Sequence, residues 1–162
     1  MRITFIQTGG TIDKVYPIKV GSYAFEIKEP AVKKILKTVR PNFSFKIISI
    51  LKKDSLEITH FERERIYEAC KKDKSERIII THGTDTIIET AAILSRLKDK
   101  VIILTGSHLP ESFKESDAMF NIGTAIGAMN ILQKGVYIAM NGRVYSWNEC
   151  RKDEKTAIFI EN

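Results

Sequence analysis

The sequence predicts an α/β protein: a doubly wound parallel sheet of strand order 2-1-3-4-5 with helices on both faces, in three layers. Two observations predict it. Short apolar stretches alternate with segments of helical period along the chain, which calls for parallel strands joined by right-handed crossovers. Two of the strands run directly into turns rich in Gly and Thr, Thr8-Gly9-Gly10-Thr11-Ile12 and Thr81-His82-Gly83-Thr84-Asp85-Thr86. Such turns fall at the carboxyl ends of strands, where open α/β sheets bind ligands, and the flavodoxin-like order 2-1-3-4-5 sets strands one and three side by side at the switch point.

Taken in order, Arg2 to Gln7 is the first strand, with Ile3, Phe5 and Ile6 apolar enough for a sheet interior. Gly9 and Gly10 let the backbone turn sharply and come close to whatever binds there. Asp13 to Ser22 is polar and reads as a loop, long enough to serve as a lid, with Tyr16 on it and Tyr23 just beyond. A plain surface excursion with its tyrosines packed down is the alternative. Glu29-Pro30 opens a helix with Val32, Ile35, Leu36 and Val39 on one face, and Pro41 ends it. Phe43 to Leu51 is the second strand and runs into Lys52-Lys53-Asp54-Ser55.

Thr59 with Glu62 forms a capping-box pattern, so a helix is expected from about Thr59 to Lys72. Arg77 to Ile80 is the third strand. The helix expected over about Asp85 to Leu97 is apolar on more than one face, as a largely buried helix is. Val101 to Leu104 is the fourth strand and ends at Thr105-Gly106-Ser107. A helix should run from Asp117 to about Gln133, with Gly123 and Gly127 expected to permit close packing. Val136 to Met140 is the fifth strand. From Asn141 the pattern turns irregular, and Ala157 to Ile160 is a final apolar piece with length for one short strand.

Composition bounds the function. A chain of 162 residues, 43% hydrophobic and 28% charged, has room for one domain with a real core. Its apolar runs fall short of a membrane span, and the N-terminus lacks the features of a signal peptide, so a soluble, cytoplasmic protein is expected. Cys70 and Cys150 are isolated and suggest neither a metal site nor a disulfide. The G-x-G-x-x-G and P-loop patterns are absent, so no nucleotide cofactor is implied. The net charge of +6 comes from lysines interleaved with Glu and Asp, which reads as a solvated surface and not as a nucleic-acid stripe.

Either Gly-Thr turn alone is as consistent with an ordinary tight turn as with catalysis. The pair is more specific: TGGTI near the start with THGTDT further on resembles the bacterial-type L-asparaginase/glutaminase family, both of whose signatures stand intact. Amide hydrolysis needs a nucleophile, a group to take its proton, and donors for the tetrahedral oxyanion. The resemblance implies Thr11 as the nucleophile, with Thr84, Asp85 and Lys152 assisting proton transfer and activating water. Lys152 is assigned because Asn141 to Lys152 resembles the family segment that ends in its catalytic lysine. Lys152 lies eleven residues beyond Asn141, and at up to roughly 3.3 Å per residue that length can span the two strand spacings, about 10 Å, back to the third strand.

The resemblance also implies a lid tyrosine, Tyr23 by spacing with Tyr16 as competitor. It puts Ser55 on the ligand's α-carboxylate, or Lys52 if the alignment shifts, with Gly10, Gly83 and Ser107 lining the substrate site. His82 reads as structural. Ser107-His108-Leu109-Pro110 departs from the Ala-Met-Arg-Pro of many members. The implied reaction converts L-asparagine to L-aspartate and ammonia without metal or cofactor. Glutamine or a peptide-like amide is the alternative substrate, and a non-catalytic amino-acid-binding module the alternative class. Residues 1–162 are expected to form one domain of the family's N-terminal type, lacking the C-terminal domain that helps to close a neighbour's site in longer members. A homodimer or larger homo-oligomer is expected to do so here.

Overall fold

The computed structural model describes residues 1–17 and 24–162. Its elements run β1 (Arg2–Gly9), β2 (Lys14–Val15), β3 (Glu26–Ile27), α1 (Ala31–Val39), β4 (Ser44–Lys53), α2 (His60–Lys72), β5 (Arg77–Thr81), α3 (Ile87–Leu94), β6 (Val101–Thr105), α4 (Ala118–Ala128), β7 (Gly135–Met140), β8 (Arg143–Ser146), β9 (Cys150–Lys152) and β10 (Phe159–Glu161). Six strands form one sheet in the order β4-β1-β5-β6-β7-β8. The first five are parallel and are the expected 2-1-3-4-5; β8 adds an antiparallel edge.

Alternation along the strands makes the three layers. Ile78, Ile80, Ile102, Leu104 and Ile138 face Ile66 and Cys70 of α2 and Ile87, Ala91 and Leu94 of α3. Phe5, Ile79, Ile103 and Ala139 face Val32, Ile35 and Leu36 of α1 and Ile122 and Ala125 of α4. Ile78, Ile79 and Ile80 are all fully buried, so both faces of β5 are covered. Each such side chain contributes about 2–3 kcal/mol of burial, which makes the strand under the second Gly-Thr turn a rigid platform.

The capping box forms: the Thr59 N–H donates to Glu62 Oε2 at 2.9 Å and the Glu62 N–H to Thr59 Oγ1 at 3.3 Å. Several expectations are corrected. The helix drawn over Asp85 to Leu97 is confined to Ile87–Leu94, because Thr86 spends its hydroxyl on the Ser55 carbonyl (2.8 Å) instead of capping, and Asp85 pairs with Lys152. The helix drawn to Gln133 ends at Ala128, and Gly123 and Gly127 do not serve close packing: a Cβ on either would meet nothing within 4 Å.

Asp13 does not open an exposed loop. It is buried at the end of a 3-10 turn, Thr11–Asp13, and the chain beyond it pairs as β2 with β3. The tail from Asn141 is regular, with β8 turning back on β7 and β9 pairing antiparallel with β10. Asn141 and Gly142 both have positive φ, 54° and 78°. An Asn-Gly pair is the strongest short hairpin signal a sequence carries, and here it makes the two-residue turn between β7 and β8.

Candidate active site

The two Gly-Thr turns meet because glycines let four strand ends converge. Gly9 and Gly10 have φ of 115° and 84°, a region that β-carbons penalise. A Cβ on Gly10 would lie 2.3 Å from the Gly83 nitrogen, and one on Gly9 2.3 Å from the Lys53 oxygen. A Cβ on Gly83 would lie 2.6 Å from Ser55 Oγ, and one on Gly106 2.4 Å from the His82 carbonyl oxygen. Two bonds lock this packing: the Gly10 N–H donates to the Lys53 carbonyl at 2.9 Å, and the Thr8 hydroxyl donates to the Thr81 carbonyl at 2.8 Å. Gly10 and Gly83 thus act here as contacts between main chains.

Thr11 is half-buried at the start of its 3-10 turn, and among the described residues no hydrogen bond engages its hydroxyl. Asp13, two residues on, is 2% exposed. Its Oδ1 accepts the Ala31 N–H at 2.7 Å at the start of α1, and its Oδ2 faces the Thr81 hydroxyl at 3.5 Å. Burial pushes its carboxyl up to about 6, against the pull of the Ala31 N–H, Gln7, Thr81 and Lys52.

Across the glycine contact, Lys152 Nζ donates to Thr84 Oγ1 at 2.8 Å and pairs with Asp85 Oδ1 at 2.5 Å. The lysine reaches in from β9; its side chain is 24% exposed against 47% for Asp85, so the pair is open to solvent on the carboxylate side. Behind it, His82 is fully buried. Its Nδ1–H donates to the Gly83 carbonyl at 2.8 Å, and its Nε2 accepts from the Thr90 hydroxyl at 2.8 Å. Arg63, itself buried, donates from Nε to Thr90 Oγ1 at 3.2 Å and from Nη1 to the Ile58 carbonyl at 2.5 Å. Burial holds the His82 ring down at about 4, so it is neutral at physiological pH and serves as a brace for the turn.

Ser55 is 1% exposed and its Oγ has no hydrogen-bond partner among the described residues. A buried hydroxyl with nothing to bond is costly. Asp54 beside it caps the 3-10 turn Ser55–Glu57 and takes a salt bridge from Lys14 at 2.9 Å. Lys52 is directed to Glu29 at 3.5 Å. Ser107 is buried, with its proton committed to the Leu109 carbonyl at 2.5 Å. Tyr23 lies outside the described residues. Tyr16 is 61% exposed and stands edge-on to Phe25. Among the described residues no group of His, Cys, Asp or Glu is placed to hold a metal ion, and no helix is long and apolar enough to cross a membrane.

Asp13, Thr90 and Arg63 did not stand out in the sequence. In the structure Ile12, between Thr11 and Asp13, is fully buried as well.

Fold and site together define a doubly wound α/β protein whose polar machinery sits at the switch point between β1 and β5. Residues 2–158 match the family model described as "Asparaginase, N-terminal"; the chain belongs to the asparaginase family. It is 28% identical over 162 residues to a glutaminase-asparaginase of Acinetobacter glutaminasificans, covering 93% of this chain and 49% of that protein. It is 34% identical over 149 residues to one subunit of the glutamyl-tRNA(Gln) amidotransferase of Methanococcus vannielii, covering 88% of this chain and 34% of that one. The structure of the thermostable L-asparaginase from Thermococcus kodakarensis superimposes with a TM-score of 0.85 at 26% identity, over 99% of this chain and 51% of that one. The chain spans about half the length, or less, of these relatives.

Proposed function

We propose that the protein is an amidohydrolase acting on L-asparagine, releasing L-aspartate and ammonia, with Thr11 as nucleophile and Thr84, Lys152 and Asp85 as the proton-handling group. The observation that carries this reading is the position of Lys152 Nζ, within 2.8 Å of Thr84 Oγ1 and bonded to Asp85. A lysine brought from the far end of the chain onto a threonine hydroxyl has no evident structural purpose, since its β9 backbone already pairs with β10.

In this reading Thr11 Oγ attacks the side-chain amide carbon and its proton passes to the amine of Lys152 by way of Thr84. The tetrahedral intermediate collapses as the amide nitrogen takes a proton and leaves as ammonia. Water, deprotonated by the same group, then cleaves the Thr11 ester to free aspartate. Asp85 orients the lysine, and the unpartnered Ser55 hydroxyl receives the substrate's α-carboxylate.

The relatives' names bring a second substrate into play, since one is a glutaminase-asparaginase and another belongs to an amidotransferase. The test is ammonia release from L-asparagine, L-glutamine and their D-isomers by purified protein, with and without a chelator. Release from L-asparagine unaffected by chelation is the expected result. No release from any amide at high substrate would reduce the protein to a binding module.

We further propose a cytoplasmic homo-oligomer in which a second copy covers the site opposite Ser55, because a site at one end of an open sheet needs cover to exclude water. Light scattering and specific activity followed together over a dilution series test this. A monomer with undiminished activity at every concentration would refute it.

A further inference from the structure

The feature the proposed chemistry leaves unused is the buried carboxylate of Asp13. It lies in the same 3-10 turn as Thr11 and is the meeting point of three segments distant in sequence. Its N–H donates to the Gly10 carbonyl at 3.2 Å, and its own carbonyl accepts the Lys28 N–H at 3.3 Å. Its Oδ1 takes the Ala31 N–H at 2.7 Å and its Oδ2 faces the Thr81 hydroxyl on β5. Asp13 thus ties its own turn to Lys28 and Ala31 while facing the strand that leads into the second Gly-Thr turn.

We infer that Asp13 is a positioning residue for Thr11: it fixes the Thr11 turn against β5 and α1, and so sets the direction of the nucleophilic hydroxyl. This rests on the reading of Thr11 as nucleophile. Simple N-capping of α1 would not require a carboxylate so fully removed from water, nor its second oxygen turned to β5. A charge costs more to bury than a neutral acceptor, and the asparagine that would cap equally well is absent.

The groups facing this carboxylate are few. Gln7 on β1, whose amide donates to the Lys28 carbonyl at 3.0 Å, and Lys52 at the end of β4 both favour its charged form. Its neighbour Lys14 is engaged by Asp54, and the side chain of Lys28 by Glu26. Glu111, whose N–H reaches the Ile12 carbonyl, is paired with Lys34. No direct salt bridge offsets the buried charge among the described residues, so the carboxyl takes up a proton near pH 6, and its hold on the turn should change there.

Two measurements test the assignment. In nitrogen-15 labelled protein titrated between about pH 5 and about pH 7.5, the amides of Thr11 and Ala31 should both shift with a midpoint about 6, and neither should in Asp13→Asn. An Ala31 amide that titrates while Thr11 stays flat would make Asp13 a helix cap alone and overturn the inference, whatever the turnover. In kinetics, Asp13→Ala should lose about 100-fold in kcat at little changed KM, as expected when a reacting group is misplaced by about 1 Å. Asp13→Asn, which keeps an acceptor for Ala31, should recover most of that rate at neutral pH and lose the inflection. Wild-type kcat in Asp13→Ala would overturn the positioning role while leaving the amidohydrolase reading intact. Failure of the wild type to release ammonia would strike the function, and the amide titration would still decide what Asp13 holds.

Discussion

The two Gly-Thr turns sit side by side, yet they are held by opposite means. The Thr11 turn is held by its backbone: two glycines at positive φ, main chain packed on main chain at Gly83 and Lys53, and one buried carboxylate underneath. The Thr84 turn is held by side chains, a neutral histidine linked through Thr90 to Arg63 on α2, and a lysine from β9. Backbone packing leaves little room for adjustment. A hydrogen-bonded network adjusts more readily, and its final member stands on the short β9–β10 pair of three residues a side. In the proposed mechanism the first turn therefore fixes where Thr11 stands, and the second, more adjustable, is the one assigned to move a proton.

The comparison is broken most directly by removing the reacting groups. Thr11→Ala, Thr84→Ala and Lys152→Met should each lower kcat by about a thousandfold or more while the fold survives, since in the proposed mechanism each deletes a group that makes bonds or carries protons. Near-normal turnover in Lys152→Met would make the tail lysine a surface charge and remove half of the contrast.

Gly10→Ala should be strongly destabilising. An L-residue at that φ is strained, and its Cβ would overlap the Gly83 nitrogen, for a loss of roughly 3–5 kcal/mol. Gly127→Ala on α4 is the control: nothing lies within 4 Å of the added carbon, so about 0.5–1 kcal/mol should be gained. Thermal melts of the two variants check the pair, and equal Tm values would mean that the turn gives way.

Acid should separate the turns by sign. Asp13 has its carboxyl raised from 3.8 to about 6, so its contribution to stability is full below about pH 3.8 and is lost as pH rises through 6. His82 is lowered from 6.5 to about 4, so its contribution is full above about pH 6.5 and is lost as pH falls toward and through 4. Each amounts to roughly 3 kcal/mol, and between pH 4 and 6 they oppose one another. Urea midpoints across that window should fall more steeply on acidification in Asp13→Asn than in the wild type, and more gently in His82→Gln. Parallel curves for all three would refute the contrast.

The smallest effect sharpens the substrate side. Ser55→Ala removes a buried hydroxyl that has no partner, so stability should hold or rise by about 1 kcal/mol while KM rises and kcat changes little. An unchanged KM would take Ser55 out of the ligand site.

The strand order, both turns and the capping box were legible in the sequence because each is local. Alternation of period shows in adjacent residues, and Gly9-Gly10-Thr11 and Thr59 to Glu62 carry their own geometry within a few positions. The tail was legible in principle at Asn141-Gly142 and was missed because the residues after it lack a clean two-residue alternation. Lys152 was reached through family resemblance and chain length, not through anything in its neighbours. What only the tertiary structure decided is which polar groups are spent and which are free. Asp13 reads as the first residue of a loop until Ala31 and Thr81 close over it. Ser55 and Ser107 look alike in the sequence, yet one hydroxyl is idle and the other bound to Leu109. Burial and hydrogen-bond partnership are set by residues tens of positions away, and the local sequence holds no record of which of them will arrive.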